Sequence, residues 1–290
     1  MTKEDEHRVE DQGSLSEARL YSGNFDAELQ IALHGFTSPA GEVAVGLAIN
    51  PGKTSPIEDS VALVPLSDNS LVLMVADGVG GLPTGWKASG MVVEHVRNEL
   101  AKAEKDDARL RTAVLDGIDS ANQALRDLGT GTSTTLVAAI IRGQQVRTFH
   151  IGDSVAWICG QRGVMKLQTT PHSPIGMALE AGFVNEKEAL HHKDLNLISN
   201  VVGSSDMRVE IGSYQTLAPK DTLLIASDGL FDNVTESEIV EIIRTGGLSE
   251  NLQQLYDLTA KRMAGAHKNK PSKPDDFSAI LFRPAAPSSG

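Results

Sequence analysis

Apolar and polar positions along the chain follow two kinds of pattern. Short apolar runs bounded by turn residues predict strands at 29–33, 42–49, 61–66, 71–76, 134–141, 145–151, 155–159, 164–167, 208–216, 222–226 and 277–282. Apolar residues at helical spacing predict helices at 86–105, 110–125, 186–192, 236–244 and 248–263. Strands and helices come in groups and do not alternate one by one. This order predicts an α+β fold, with antiparallel sheets covered by helices.

The same patterns divide the chain into a domain and its margins. Residues 1–23 are polar with almost no apolar periodicity, so we expect a disordered or loosely attached N-terminal arm. Residues 24–284 are expected to form one domain, followed by a frayed tail at 285–290. Within the domain, residues 171–200 are irregular and long for a connection. Because long loops in compact domains are usually functional, we expect this segment to help to choose substrates.

Composition narrows the classes of partner. The net charge of −12 argues against nucleic acid, whose phosphates need a basic face. No apolar run approaches the ~20 residues that span a bilayer, and residues 1–10 lack the apolar stretch of a signal peptide. Cys159 is the only cysteine, which excludes an internal disulfide and a cysteine-rich metal site. We expect a cytoplasmic monomer without membrane or nucleic-acid partners.

Acidic residues stand at the ends of several predicted strands. Asp77-Gly78 and Asp228-Gly229 each follow a buried run, whereas Glu58-Asp59 and Asp275-Asp276 precede strands, and Gly152-Asp153-Ser154 lies between two. One Asp-Gly pair alone is typical of an ordinary turn. Together, carboxylates at fixed strand ends provide the oxygen ligands that Mg²⁺ or Mn²⁺ prefers. The set indicates a metal-dependent hydrolase.

The sequence gives less support to a covalent nucleophile, a phosphate-binding loop or a histidine metal site. No Gly-x-Ser-x-Gly elbow and no cysteine phosphatase loop is present, so no covalent nucleophile is indicated. The hydroxyl-rich stretch 131–137 lacks the lysine and the following helix of a phosphate-binding loop, and we expect it to pack behind the metal site. His150, His172, His191 and His192 show no helical ligand spacing, and most are expected to be structural or exposed.

Taken in chain order, the acidic and small-residue motifs resemble those of the metal-dependent protein phosphatases of the type 2C family. The resemblance covers roughly residues 41–284, and residues 179–196 look like the flap of bacterial members. The motifs are Ile57-Glu58-Asp59-Ser60, Ala76-Asp77-Gly78-Val79-Gly80-Gly81, Gly131-Thr132-Ser133-Thr134, His150-Ile151-Gly152-Asp153-Ser154, Ser227-Asp228-Gly229-Leu230-Phe231-Asp232 and Asp275-Asp276-Phe277-Ser278.

That resemblance implies a fold and an activity. The fold would be a central antiparallel β-sandwich flanked by pairs of helices on both faces, in four layers. The activity would be hydrolysis of phosphoserine and phosphothreonine in proteins by a water activated at a binuclear Mg²⁺ or Mn²⁺ centre. The substrates would be phosphorylated proteins, those of a cognate serine/threonine kinase.

It also implies residue roles. Asp77 would bridge the two ions, and Asp59 would orient water as a catalytic residue. The implied metal ligands are Asp228 and Asp275 at one site, Glu58 and the Gly78 carbonyl at the other, and Asp153 with Asp228 at a third, weaker site.

Three positions depart from the family pattern. Val79 stands where many members have a histidine that protonates the leaving group, and Asp276 replaces an asparagine. Thr54 replaces a phosphate-binding arginine, which makes Lys53 the candidate substrate-binding residue. Two alternatives therefore stay open beside the phosphatase. They are a pseudophosphatase that only binds phosphoproteins, and a small-molecule phosphomonoesterase on the same scaffold. Retention of the implied metal ligands favours the active protein phosphatase.

Overall fold

In the computed structural model, residues 8–54, 56–66, 69–79, 84–103, 107–184, 197–266 and 270–286 are described. They contain two seven-stranded sheets. The first sheet has the order β1-β3-β4-β14-β13-β9-β10, and the second has the order β11-β8-β7-β6-β5-β2 with β12 also paired to β8. The strands are β1 (Glu10–Ser14), β2 (Arg19–Ser22), β3 (Ile31–Ser38), β4 (Gly41–Ala48), β5 (Asp59–Leu66), β6 (Ser70–Asp77), β7 (Leu136–Arg142), β8 (Gln145–Ile151), β9 (Val155–Cys159), β10 (Met165–Gln168), β11 (Glu210–Ile211), β12 (Gln215–Thr216), β13 (Thr222–Ala226) and β14 (Phe277–Pro284).

Helices cover both outer faces of the paired sheets. The helices are α1 (Gly85–Lys102), α2 (Asp107–Asp127), α3 (Pro174–Glu180), α4 (Asp228–Phe231), α5 (Glu236–Ile243) and α6 (Leu248–Met263). Helices α1 and α2 pack on the second sheet, and α5 and α6 pack on the first. This arrangement confirms the predicted four-layer α+β sandwich. Among the described helices, none combines the length and apolar character needed to cross a bilayer.

Strand β6 shows why the strands of this core read as continuous apolar runs. Leu71, Leu73 and Val75 point into the core between the sheets, whereas Val72, Met74 and Ala76 pack under α1 and α2. Because both faces of the strand are covered, alternation of apolar and polar residues disappears. The strand therefore ends at a fixed point, and Asp77 stands there.

The N-terminal segment differs from the expected disordered arm. Strand β1 pairs in parallel with β3, and β2 pairs antiparallel with β5. Between them, Leu15 is buried in the core between the sheets, and Ser60 donates to Ser22 at 2.7 Å. The prediction was wrong for residues 8–23 because short edge strands are held by backbone pairing and one apolar anchor, which leave no periodic pattern. Residues 1–7 lie outside the described residues.

The segment 171–200 begins with helix α3, which the sequence patterns did not predict. Ser173 caps it by accepting a hydrogen bond from Gly176 N at 2.9 Å, and Pro174 occupies its first turn. The helix predicted at 186–192 lies outside the described residues, as do His191, His192 and the last residues of the tail, 287–290. The strand predicted at 208–216 is two short strands, β11 and β12, both paired with β8.

Candidate metal centre

One end of the sandwich collects the predicted carboxylates. In the second sheet, Asp59 at the start of β5 lies directly opposite Asp77 at the end of β6. In the first sheet, β13 and β14 are antiparallel neighbours, so Asp228 after β13 and Asp275 before β14 lie at the same edge. The two edges are joined because Asp59 Oδ2 accepts hydrogen bonds from Ser227 at 2.8 Å and from Ser278 at 2.6 Å.

Asp77 is the centre of this collection. Burial raises the pKa of the Asp77 carboxyl well above its usual range, and the charges of Asp59, Asp228, Asp275 and Asp153 raise it further. Burial also raises the pKa of Asp59, where the serine hydroxyls oppose the shift. A buried group of like charges this dense is costly without cations among them.

The hydroxyl-rich stretch holds the backbone of Asp77. Thr135 accepts from Asp77 N at 3.0 Å through its hydroxyl, and Thr134 donates to Asp77 O at 2.7 Å. Thr135 also shares a hydrogen bond of 2.7 Å with Ser154, the residue after Asp153. These contacts place the small residues behind the carboxylates, as the sequence suggested, and fix the position of Asp77 relative to Asp153.

Glu58 and Gly78 meet at the start of α1. Gly78 N donates to Glu58 O at 3.1 Å. An added Cβ on Gly85 would lie 2.9 Å from Glu58 Oε1 and 3.1 Å from the Gly78 carbonyl oxygen. A carboxylate oxygen and a carbonyl oxygen therefore converge on a space that only glycine leaves open.

Lys53 lies beside Glu58, as does Asp276. The Lys53 ammonium donates to Glu58 Oε2 at 2.5 Å and to Asp276 Oδ2 at 2.9 Å. Asp276 also accepts from the backbone nitrogens of Glu58 and Asn50 at 2.7 and 2.8 Å. Lys53 thus pairs with the extra negative charge of Asp276. This lysine, the candidate phosphate-binding residue, lies at the rim of the carboxylate cluster.

On the opposite side of the cluster, Lys273 contacts three carboxylates. Its ammonium lies 2.5 Å from Asp228 Oδ2, 2.8 Å from Asp232 Oδ2 and 3.4 Å from Asp275 Oδ2. Sequence reasoning missed both Lys273 and Asp232. Two signals could have found them: Asp232 follows Asp228 by one helical turn, and Lys273 precedes Asp275 by two residues on an extended segment.

Two carboxylate oxygens of the cluster lack a hydrogen-bond partner. Asp153 Oδ1 and Asp228 Oδ1 are buried and accept from no donor among the residues that the structure describes. Burial, followed by the charge of Asp228, raises the pKa of Asp153 to about 8. An unsatisfied buried polar group costs about 1–3 kcal/mol, and more when it is charged. Oxygens of this kind, with Glu58 Oε1 and the Gly78 carbonyl, fit hard divalent cations.

His150 and His172 form a second polar group with Glu210. The two rings stack at 4.4 Å, and His172 Nε2 lies 3.2 Å from Glu210 Oε2. His172 Nδ1 accepts from Gly152 N at 3.1 Å, so its Nε2 carries the hydrogen, and His150 Nε2 donates to Thr170 O at 3.0 Å. Both nitrogens that face Glu210 therefore carry hydrogens and offer no lone pair to a metal ion in this arrangement. The group ties the loop of Asp153 to the start of segment 171–200.

Comparison with known proteins decides the family. The family model of protein phosphatase 2C matches residues 51–266, which include most of the cluster. The chain belongs to the protein phosphatase 2C family. Among relatives, the serine/threonine phosphatase stp of Listeria monocytogenes serovar 1/2a is 31% identical over 65% of this chain and 77% of its own.

Solved structures agree with the protein phosphatase 2C fold. The serine/threonine phosphatase of S. agalactiae is 25% identical, with a TM-score of 0.71 over 83% of this chain and 98% of its own. The catalytic domain of the serine threonine protein phosphatase PstP, solved in complex with 2 manganese ions, shares the fold at 22% identity, with a TM-score of 0.67 over 84% of this chain and 98% of its own.

Proposed function

We propose that this metal-dependent protein serine/threonine phosphatase acts at a binuclear centre built by the carboxylate cluster. Family membership supports the reaction class. The observation that carries the assignment of residues is the buried, partnerless pair of oxygens on Asp153 and Asp228, next to the charges that act on Asp77.

The ligand roles are those that the family resemblance implies, and the positions of the residues support them. Asp77 would contribute to both metal sites, Asp228 and Asp275 would complete one, and Glu58 with the Gly78 carbonyl would complete the other. Asp153 and Asp228 would hold a third, weaker site. The two manganese ions of PstP support Mn²⁺ as a suitable metal; Mg²⁺ has the same preference for oxygen ligands.

The bound ions would supply Lewis acidity, neutralising phosphate charge and lowering the pKa of water. The protein's own residues do the rest. Asp59, fixed through Oδ2 by Ser227 and Ser278, orients the attacking water by accepting its hydrogen. Lys53 offers the substrate phosphate a point charge at the rim of the cluster. Val79 provides no proton, so the leaving group takes its proton from solvent.

Segment 171–200 is proposed to contact the protein substrate. Its helix α3 forms one wall of a pocket of about 140 Å³ that reaches Asp153 and Asp228 at its other end. The rest of the lining includes the apolar residues Trp157, Phe231 and Val234 together with the polar residues Gln168 and Glu236. Met177 and Phe183, on the same segment, expose large apolar side chains to solvent. A surface of this kind supports a phosphoprotein substrate over a small phosphate ester. The role proposed with it is signalling, opposite a cytoplasmic serine/threonine kinase.

Hydrolysis of a phosphoserine peptide, measured with Mn²⁺ and with EDTA, tests the proposal. We expect release of inorganic phosphate that depends on Mn²⁺ and no burst of a covalent intermediate. Hydrolysis that persists in EDTA would overturn the metal-dependent assignment. Binding of the phosphopeptide without any turnover in Mn²⁺ would identify the protein as a pseudophosphatase.

A further inference from the structure

The Lys273 ammonium lies at the acidic end of the cluster, where three carboxylates surround it. Two of them, Asp228 and Asp275, are proposed ligands of the same divalent ion, and the third, Asp232, is the C-cap of the short helix that begins with Asp228. Ordinary surface lysines pair with one carboxylate and gain little. Lys273 is different because its side chain is only 27% exposed and has three partners at once.

The backbone of Lys273 is held in place as firmly as its side chain. The buried Asn233 side chain accepts from Lys273 N and donates to Lys273 O, both at 2.8 Å. The same amide donates to Gly229 O at 2.9 Å, which ties Lys273 to the helix that begins with Asp228. The preceding residue, Ser272, donates to Arg262 O at 2.7 Å. These hydrogen bonds therefore fix the backbone from which the Lys273 ammonium reaches the three carboxylates.

Asp228 divides its two oxygens between different surroundings. Oδ2 accepts from Lys273, whereas Oδ1 is buried without a donor among the described residues. Asp275 likewise uses Oδ2 toward Lys273 and Oδ1 toward the backbone nitrogen of Asp276. An ion that binds between Asp77, Asp228 and Asp275 must share two of its ligands with a positive charge. Two cations on the same carboxylates repel each other.

We propose that Lys273 is an internal cation that competes with the divalent ion for Asp228 and Asp275. It stabilises this end of the cluster when metal is scarce, and it lowers the affinity of the site for Mn²⁺ or Mg²⁺. The occupancy of this site therefore depends on the metal concentration. A carboxylate cluster without the lysine would hold its ion tightly. This inference rests on the proposed function, because it assumes that Asp228 and Asp275 bind the ion.

Replacement of Lys273 by methionine, which keeps the length of the side chain, removes the competing charge. The first measurement is the Mn²⁺ dissociation constant from calorimetry, and the second is the melting temperature in EDTA. We expect Lys273→Met to bind Mn²⁺ at least about tenfold more tightly. In free energy, this change is a modest part of the repulsion between neighbouring charges in a partly buried site. Its melting temperature in EDTA should fall, because three carboxylates lose their counter-charge.

Two control variants separate this effect from general ones. Lys270→Met removes a nearby lysine that pairs with Glu238, at 2.9 Å, and with no carboxylate of the cluster among the described residues, so it should change neither quantity. Lys273→Arg keeps the charge and should bind Mn²⁺ with nearly the affinity of the unmodified protein. If Lys273→Met is too unstable in EDTA to isolate, Lys273→Gln retains one donor and tests the same charge.

The outcomes distinguish the two proposals. If the unmodified protein binds Mn²⁺ and hydrolyses a phosphopeptide, but Lys273→Met binds Mn²⁺ equally or more weakly, the competing role is wrong and Lys273 supports the metal ligands. If neither protein binds Mn²⁺ or turns over the peptide, the metal centre itself is wrong and this inference fails with it.

Discussion

The carboxylates of the cluster have the same sign of charge, but their surroundings differ. Asp59 is satisfied by two serine hydroxyls, and Asp276 by Lys53 and two backbone nitrogens. Asp153 and Asp228 each keep one buried oxygen without a donor in the described part of the chain. Asp59 and Asp276 are thus suited to orient groups, and the free oxygens of Asp153 and Asp228 are suited to bind ions.

Asp77→Asn tests the central residue. The change removes charge shared by both proposed metal sites, so we expect turnover of a phosphopeptide to fall about 10²-fold or more at saturating Mn²⁺. The fold should survive, because the raised pKa of Asp77 shows that its negative charge is disfavoured in the folded protein. The melting temperature in EDTA should therefore not decrease. Asp116→Asn, on the exposed face of α2, is the matched control. Unmodified turnover in Asp77→Asn would exclude Asp77 as a shared ligand.

At the scale of elements, prediction from sequence succeeded where burial on both faces imposes a pattern. Strand β6 is such a case, and its continuous apolar run ends at the correct aspartate. Strands β1 and β2 were missed because edge pairing uses the backbone, which the side-chain pattern does not record. Helix α3 was missed because Pro174 and Gly176 are residue types typical of loops, although proline in the first turn after a serine cap begins many helices. Lys273 was missed because Asp228 and Asp232 are 45 and 41 residues away in the chain.

Helix α3 supports a prediction about substrate choice. Leu179 lines the pocket beside Asp153 and is partly exposed. In Leu179→Asp, a charge replaces the apolar wall, so we expect a decrease of about tenfold in kcat/KM for a phosphoprotein, the scale of losing one well-packed apolar contact. Turnover of an aryl phosphate should stay nearly constant, because the proposed metal ligands lie on separate strand ends.

Leu128→Asp serves as the control for the α3 variant, since Leu128 is half exposed after α2 and does not line the pocket. It should leave both substrates unaffected. An equal loss on both substrates in Leu179→Asp would mean that α3 belongs to the catalytic scaffold and that segment 171–200 is not a recognition flap.

For the whole molecule, the site is a concentration of negative charge inside a protein that is already acidic. The chain has a net charge of −12, and the sandwich gathers eight carboxylates near one end: Glu58, Asp59, Asp77, Asp153, Asp228, Asp232, Asp275 and Asp276. Lys53 and Lys273 are the lysines seen to contact this group in the described residues. The carboxylates of the site repel one another, so apolar packing on both faces of each sheet must offset this repulsion. Metal binding should therefore be coupled to the stability of the fold.

This coupling predicts opposite pH trends with and without metal. Burial and neighbouring carboxylates raise the pKa of Asp153 to about 8 and of Asp232 to about 7, above the values expected in the unfolded chain. Such groups hold protons in the folded state that the unfolded state has released, so their contribution to stability is lost as pH rises through the folded pKa. Between pH 7 and 8, above the ordinary histidine pKa of about 6.5, the melting temperature in EDTA should fall by about 2 °C or more per pH unit for each proton involved. Saturating Mn²⁺ binds the ionised carboxylates, so it should abolish or reverse the fall. Thermal scans at a series of pH values in EDTA and in Mn²⁺ would measure both trends. A melting temperature in EDTA that stays level or rises across this range would show that these carboxyl groups are not protonated in the folded protein. Neighbouring positive charges would then have to balance their negative charge.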